Sequence, residues 1–217
     1  MTGFPGSPQL VKGGIVLLDP QTSLVQQVIP LQYNPESLTR SFQVQGADGS
    51  DGARSSALRL KGPAIETLKL DAEIDATDLL ETADQEAVEL GIHRELATLE
   101  ALLYPSTRSL NANNEQARFG TLEIVPMESV LTLFVWSQER ILPVRITELS
   151  ITEEAFSPKL NPLRAKVSLG MRVLSVDDLG FEHKGGSLFM TYLSRKEQLR
   201  DRNTRAQLNT LGIGGIG

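Results

Sequence analysis

Cysteine is missing from the 217-residue sequence, and histidine occurs only as His93 and His183. Without cysteine the chain has no disulfide, no thiol nucleophile and no thiolate metal ligand. Two histidines are too few for a multi-histidine metal site within one chain. Aromatic residues make up only 5%, and no apolar run approaches the ~20 residues that a membrane helix needs. The first residues also lack the basic start and apolar stretch of a secretory signal. We therefore expect no metal, no cofactor and no contact with a membrane.

Acidic and basic residues are unevenly distributed along the chain. The net charge is −6, which argues against nucleic acid as a partner of the whole chain. Residues 181–217 hold six basic and three acidic side chains, so this segment carries +3 and residues 1–180 carry −9. Such a pattern is typical of a solvated surface. The alternative is a basic tail that docks on an acidic neighbour, such as the next copy of the chain. The candidate assembly contacts are Arg195, Lys196, Arg200, Arg202 and Arg205.

Alternating hydrophobicity predicts that most of the chain is β-structure. Residues 1–12 contain several prolines and glycines and are predicted to be irregular. Strands are predicted wherever apolar side chains recur at every second position, because this spacing gives a strand one buried face. The two clearest examples are Thr67–Ile74 and Leu163–Val173. The other predicted strands cover residues 14–18, 24–32, 41–44, 121–125, 130–137 and 141–151.

One segment has helical periodicity. Apolar residues recur three or four positions apart, which predicts a single helix over about residues 83–103. These residues are Val88, Ile92, Leu96, Leu99 and Leu103. Thr82 followed by Gln85 fits a capping box. The polar stretches 46–57 and 108–117 are predicted to be loops, the first of them mobile. The apolar face over residues 187–207 is thin, so at most a short helix is expected there.

Short turns between successive strands indicate antiparallel pairing and a sandwich or barrel rather than a doubly wound sheet. The sequence predicts a mainly β fold of two packed antiparallel sheets, with seven to nine strands, one inserted α-helix and a basic C-terminal tail. The expected divisions are an irregular N-terminus (1–12), a β domain (13–176) and a docking tail (177–217). We expect a chain without residues 187–217 to keep its fold and to assemble less well.

No pattern of residues predicts catalysis. Asp71 and Glu73 share one face of a predicted strand and could hold a cation, but the glycine and distal glutamate of a calcium loop are missing. No nucleophile-elbow motif surrounds a serine, and His93 is expected at the helix surface. The basic tail has only Tyr192 nearby for stacking on a base. Trp136 lies in an apolar strand and is expected in the core. By elimination these residues favour a structural or interaction protein.

Three motifs occur in an order and spacing that resemble a known family. They are LQYNPESL at residues 31–38, GPAIETLKLD at residues 62–71, and VW at residues 135–136 followed by FSPKLNPLRAKV at residues 156–167. As an ordered set they resemble the tube-domain proteins of contractile injection systems, which are phage-tail-like particles. Within this family, the resemblance is to members that lie at the baseplate end of the inner tube. The resemblance covers roughly residues 10–175.

The resemblance implies a tube fold of two packed antiparallel sheets with a helix, assembled as a homo-hexameric ring. Such a ring adapts the spike protein to the inner-tube protein within the baseplate, and it is not an enzyme. The expected partners are therefore other copies of the chain, the spike, the inner-tube protein and further baseplate components. We expect assembly in the cytoplasm as part of a phage-tail-like particle, with release of the particle from the cell left open.

The motif residues are expected to hold the fold rather than to carry chemistry. In the family pattern, residues 33–36 form a structural turn and residues 162–165 begin the strand that crosses the sheet. The motif residues are Tyr33, Asn34, Pro35, Glu36, Pro63, Glu66, Thr67, Trp136, Asn161, Pro162, Leu163, Arg164 and Ala165. Many members carry a C-terminal LysM module, whose glycine-aspartate-threonine-leucine start is missing here. Its role would then fall to the basic tail or to a separate chain.

Two other functions stay open. An inner-tube subunit would stack along the whole tube, and the contrast between an acidic body and a basic tail suits head-to-tail stacking. A ligand- or glycan-binding β-sandwich module is a further alternative. Only the scattered aromatic residues Trp136, Tyr33 and Tyr104 support it.

Overall fold

The computed structural model describes residues 11–19, 22–46, 59–118, 130–202 and 208–213. Seven strands in these residues form one antiparallel sheet. They are β1 (Gly14–Leu18), β2 (Val25–Pro30), β3 (Leu38–Gln43), β4 (Ile65–Asp75), β5 (Leu131–Ser137), β6 (Arg140–Phe156) and β7 (Pro162–Val173). Their order in the sheet is β2-β1-β5-β6-β7-β4-β3. The prediction of a mainly β, antiparallel fold is confirmed.

The sheet curves until its two ends face each other. Gln32, just after β2, donates from Nε2 to the carbonyl of Asp75 at 2.7 Å and accepts from the Asp75 amide at 2.9 Å. Ile15 of β1 packs in the same buried cluster as Leu70 of β4 and Leu169 of β7. One curved sheet therefore encloses the core. The two separate packed sheets expected from the sequence are not found in the part of the chain that the structure describes.

The strands with the clearest alternation have the predicted faces. In β4, Leu68 and Leu70 are buried, whereas Lys69 and Asp71 are exposed. In β7 the buried side chains likewise alternate with exposed ones from Ala165 to Leu169. A period of two places successive side chains on opposite faces of a strand, so the sequence pattern alone identified the inner face of both strands.

The single predicted helix is wrong, because the described residues between β4 and β5, as far as Arg118, already form four helices. They are α1 (Thr77–Glu81), α2 (Gln85–Leu90), α3 (His93–Glu100) and α4 (Thr107–Arg118). Gly91 adopts a φ of +60° between α2 and α3, a conformation that ends a helix. Asp84 caps α2 by accepting from the amide of Ala87 at 2.9 Å, in place of the expected Thr82. The stretch 108–117, predicted to be a loop, lies in α4.

The break at Gly91 explains which apolar residues are buried. Ile92 and Leu96 pack with Ala165 in a small buried cluster. Val88, which precedes the break, is 56% exposed, and Leu103, which follows α3, is 44% exposed. The periodicity thus identified the buried face of α3 but extended it too far in both directions.

The C-terminal region is part of the fold. It forms α5 (Val176–Leu179), α6 (Lys184–Asp201) and a short 3₁₀ helix (Leu208–Leu211). Phe189 and Tyr192 of α6 are each only 5% exposed and belong to the main buried cluster. A Cβ at Gly186 would lie 1.9 Å from the carbonyl oxygen of Gly180. The lack of a side chain at Gly186 therefore lets α6 lie close to the backbone of Gly180. The expectation that residues 187–217 form a removable tail therefore conflicts with the packing of α6.

Some predicted features lie outside the described residues. These are most of the irregular N-terminus, most of the loop 46–57, and the strand over residues 121–125. Among the described residues, no helix is long and apolar enough to cross a membrane.

Candidate assembly surfaces

Glu66 is a buried acid that links three elements. Its side chain is 4% exposed and lies 2.6 Å from Nη2 of Arg40 on β3 and 3.4 Å from Nζ of Lys196 on α6. The hydroxyl of Tyr192 donates to the same carboxylate at 3.4 Å and accepts from Arg40 Nη2 at 2.6 Å. A buried carboxylate is tolerated only when it is paired and hydrogen-bonded. This network therefore fixes α6 against the β3–β4 hairpin.

The sequence contains a signal for the burial of Glu66. Glu66 has the same parity in β4 as Leu68 and Leu70, so its side chain points to the buried face. A carboxylate on that face requires a cationic partner. The sequence alone presents Lys196 as a candidate assembly contact, whereas in the structure it is a partner of Glu66.

A basic patch lies beside this network. We define it as Arg40, Phe42, Lys196, Leu199 and Arg200. Phe42 is 51% exposed and has Arg40 Cζ at 5.0 Å and Lys196 Nζ at 5.2 Å from its ring centroid. Leu199, which is 54% exposed, and Arg200 follow Lys196 by three and four residues and so lie on the same face of α6. The patch thus has an apolar centre with cationic side chains around it.

The other tail residues are distributed along the end of α6. Arg195 donates to the carbonyl of Gln138 in the β5–β6 turn. Arg200 pairs with its neighbour Asp201 at 2.9 Å. Arg202 is exposed and has no ion pair among the described residues, and Arg205 lies outside them. Two of these five bases, Arg195 and Lys196, therefore already hold α6 in place, which the sequence did not indicate.

The turn after β2 is fixed by Asn34. Its Oδ1 accepts from the amide of Gly13 at 2.9 Å, and its Nδ2 donates to the carbonyl of Val11 at 2.8 Å. Tyr33 and Glu36 are exposed, and Pro35 is half-buried. In this motif Asn34 connects the residues just before β1 to the turn that follows β2.

The start of β7 clamps the helical insertion. The Pro162 carbonyl accepts from the amide of Ile92 at 2.9 Å, and the Leu163 carbonyl accepts from the amide of Ala76 at 2.9 Å. Asn161 donates from Nδ2 to the carbonyl of Glu89 at the end of α2. Two further motif residues are nearby: Ala165 is fully buried beneath α3, and Arg164 lies 3.5 Å from Glu154 and 3.9 Å from Glu73.

The remaining motif residues are also structural in their contacts. Trp136 is half-buried and stacks on Phe134 with ring centroids 5.9 Å apart. The Pro63 carbonyl accepts from Nε2 of Gln45 at 2.8 Å. Thr67 is exposed on the outer face of β4. None of these contacts brings the motif residues together into one site.

The β6–β7 hairpin ends in a rigid tip, defined here as residues 155–161. Leu160 is 77% exposed and has a φ of +64°, and Ala155 has a φ of +54°. Phe156 is 51% exposed. Ser157 holds the turn, since its Oγ accepts from the amides of Lys159 and Asn161 at 3.3 and 3.1 Å. The tip therefore displays two large apolar side chains on a fixed backbone.

The outer face of the sheet is polar and carries the acids considered for a cation site. Asp71 and Glu73 lie on this face, where Glu73 is 3.9 Å from Arg164. In the described residues no three His, Asp or Glu side chains are grouped so that they could hold a metal. Nearby, hydrogen bonds from Thr77 hold the pKa of the Asp75 carboxyl below its usual value.

A cavity of about 470 Å³ lies between α3 and the curved sheet. Its floor is apolar and includes Ile15, Leu70 and Leu169, and its rim includes Gln32 and Arg94. Small-molecule sites are typically about 300–1,000 Å³ in volume. This cavity is the feature that the ligand-binding alternative would use.

A profile of the family described as contractile injection system tube protein matches residues 15–178. The chain belongs to this family. The match covers β2 to β7 and all but the first residue of β1, and it extends into α5 but ends before α6 begins at Lys184. The helix that carries Tyr192 and Lys196 therefore lies outside the part of this tube protein that the family profile covers.

Two solved structures are similar to the tube protein. One is described as the tail of an empty GTA particle with C6 symmetry, at 12% identity and a TM-score of 0.31, covering 75% of this chain and 90% of that chain. The other is described as the virion of a native gene transfer agent particle, at 12% identity and a TM-score of 0.28, covering 74% of this chain and 90% of that chain. No curated protein matches the sequence.

Proposed function

We propose that this tube protein forms a ring that joins the spike to the inner tube in the baseplate of a contractile injection system. The observation that carries the proposal is the pair of free sheet edges. β2 and β3 are the two ends of the sheet, and no strand in the described residues covers either outer edge. Val25 and Val28 on β2 and Phe42 on β3 are all more than half exposed. Apolar edge strands are an aggregation hazard in a monomer, and a closed ring would cover them.

The two edges have unlike sequences, VQQVIP in β2 and LTRSFQ in β3. A contact between unlike surfaces is heterologous, and it generates a ring when the rotation between copies closes. The expected number of six copies comes from the family resemblance. The adaptor role rests on the motifs that resemble baseplate-end members, and on α6, which adds a basic surface beyond the family match. The proposed role is structural and involves no catalysis.

The test is the mass and shape of the purified protein, by light scattering and negative-stain imaging, alone and with the spike and inner-tube proteins of the same particle. We expect six-fold rings that bind the spike on one side and start tubes of the inner-tube protein on the other. Long tubes formed by this chain unaided would support the inner-tube alternative instead. A monomer that binds neither partner would overturn the proposal, and its retention on an oligosaccharide column would favour the glycan-binding alternative.

An edge variant makes the test specific. Val28→Lys places a charge on β2 at a side chain that is 59% exposed, so we expect the fold to persist and ring formation to fall. Val88→Lys is the matched control, because Val88 is 56% exposed on α2 and lies on neither edge strand. Equal loss of rings in both variants would argue against the sheet edge as the contact.

A further inference from the structure

We propose that the tip of the β6–β7 hairpin docks on the basic patch of a second copy of this chain. This inference rests on the proposal that copies assemble, and it names the side chains at one of their contacts. In it, Leu160 and Phe156 of one copy cover Phe42 and Leu199 of the next.

The conformation of the tip is the first argument. A left-handed backbone is disfavoured for residues other than glycine, yet both Ala155 and Leu160 adopt it. Burial within the chain does not offset this strain at Leu160, since its side chain is 77% exposed. Backbone strain of this kind persists where the surroundings enforce it and is common at binding sites. Here the enforcing contacts include the bond from Asn161 to the Glu89 carbonyl.

The charges around the two surfaces are the second argument. The segments that contain the tip or contact its base, residues 71–100 and 153–166, hold twelve acidic and four basic side chains, of which Lys159 lies on the tip itself. The segments that contain or adjoin the patch, residues 38–46, 59–66 and 181–202, hold eight basic and four acidic side chains. Glu89 and Glu153, close to the tip, are exposed and have no ion pair among the described residues. Opposite charges around two apolar centres favour contact and fix its orientation.

The positions of the two surfaces show why the contact must join different copies. Phe42 on β3 pairs with Glu66 on β4. The next residue of β4, Thr67, pairs with Arg172 on β7, and Arg172 in turn pairs with Arg145 on β6. Arg145 and Phe156 are eleven residues apart on β6, which corresponds to roughly 36 Å at ~3.3 Å per residue. The tip therefore lies too far from the patch of its own chain, and the contact is head to tail.

Disulfide trapping tests the contact directly, because the sequence has no cysteine of its own. A Leu160→Cys chain and a Leu199→Cys chain are mixed under mild oxidation, each after its fold has been checked by circular dichroism. We expect the mixed disulfide dimer to form at least tenfold faster than either like-with-like dimer. The matched control replaces Leu199→Cys by Leu110→Cys on α4, where the leucine is 51% exposed. Trapping no faster than in this control would overturn the inference.

A second measurement tests self-association without an introduced cysteine. Leu160→Asn removes the apolar side chain and still suits a left-handed backbone, so we expect self-association by sedimentation velocity to weaken at least tenfold. Leu160→Met keeps an apolar side chain and should associate like the native chain. Rings that form equally well with Leu160→Asn would overturn the inference and leave the ring proposal standing. A native chain that stays monomeric but binds the spike would also overturn it, while the adaptor role would stand.

Discussion

Gln32 and Asp75 close the curved sheet of this protein through a reciprocal pair of hydrogen bonds. The side-chain amide of Gln32 donates to the Asp75 carbonyl at 2.7 Å and accepts from the Asp75 amide at 2.9 Å. A side chain thus satisfies two backbone groups at the end of β4, where β7 pairs with one side of the strand but β3 no longer pairs with the other. Because the bonds join segments 43 residues apart, they hold the mouth of the core in one arrangement.

Replacing Gln32 should therefore loosen the closure. We expect Gln32→Ala to lower the free energy of unfolding by about 1–2 kcal/mol, since it leaves two backbone groups without their partner. Gln27→Ala on β2 removes the same kind of side chain from an exposed position and should cost less than about 0.5 kcal/mol. Urea denaturation of both variants measures the difference. Equal effects would show that the Gln32 bonds do not stabilise the fold.

Glu66 should be the most sensitive charged residue. Glu66→Gln removes the negative charge that faces Arg40 and Lys196, and breaking a buried ion pair costs about 3–5 kcal/mol. Both cations are partly exposed, so we expect the lower end of that range. Glu148→Gln is the control, because its pair with Lys69 is exposed on both sides and such pairs contribute about 0–1 kcal/mol. Similar costs in urea denaturation would mean that the network is not a structural clamp.

Alanine substitutions at Gly91 and Gly180 would distinguish the cost of backbone strain from the cost of a steric clash. Both glycines have a positive φ, of +60° and +74°. A Cβ at Gly91 would lie 2.1 Å from the carbonyl oxygen of Pro162, whereas nothing lies within 4 Å of one at Gly180. Gly180 combines its positive φ with a ψ of 164°, a region that is nearly restricted to glycine, so we expect Gly180→Ala to cost about 1–3 kcal/mol from strain alone. Gly91→Ala should cost clearly more, because the α2–α3 junction must also move away from β7. Thermal unfolding compares the two, and equal losses would contradict the close approach.

Helix α6 should be required for folding. Phe189→Ala deletes a core side chain, and we expect it to cost about 3–5 kcal/mol. Met190→Ala, at a side chain that is 39% exposed, should cost less than half as much. A chain that ends after His183 should fail to give a cooperative thermal transition, because the core loses both Phe189 and Tyr192. A stable, cooperative fold of that truncated chain would return α6 to the status of a removable tail.

Several features could be predicted from local sequence. The alternation in Thr67–Ile74 identified the buried face of β4, because a strand places every second side chain on the same side. The boundary between the predicted strands 130–137 and 141–151 also coincides with the turn at Gln138 and Glu139 that joins β5 to β6. The helical insertion was predicted less well. Its periodicity predicts one helix, because the sequence does not show that Gly91 has a positive φ and so separates α2 from α3.

The candidate assembly surfaces could be predicted only in part. Lys196 and Arg200 are candidate contacts from the sequence alone, but Arg40 and Phe42, which complete the basic patch, are distant from them along the chain. The basic patch joins Phe42 to Lys196, and the strain at Leu160 depends on a turn whose φ values no motif specified. The family resemblance correctly indicated the tube protein family. The ring, its six copies and the adaptor role remain proposals for the measurements described above.

The sequence by itself determined the class of the protein: a cysteine-free, mainly β chain whose ordered motifs are those of a tube protein. It did so because strand periodicity and short motifs are local properties. The tertiary structure alone decided that one sheet curves onto itself, that Glu66 is buried against Arg40 and Lys196, and that α6 belongs to the core. These outcomes depend on which distant side chains meet when apolar surface is buried, and no local pattern encodes that pairing.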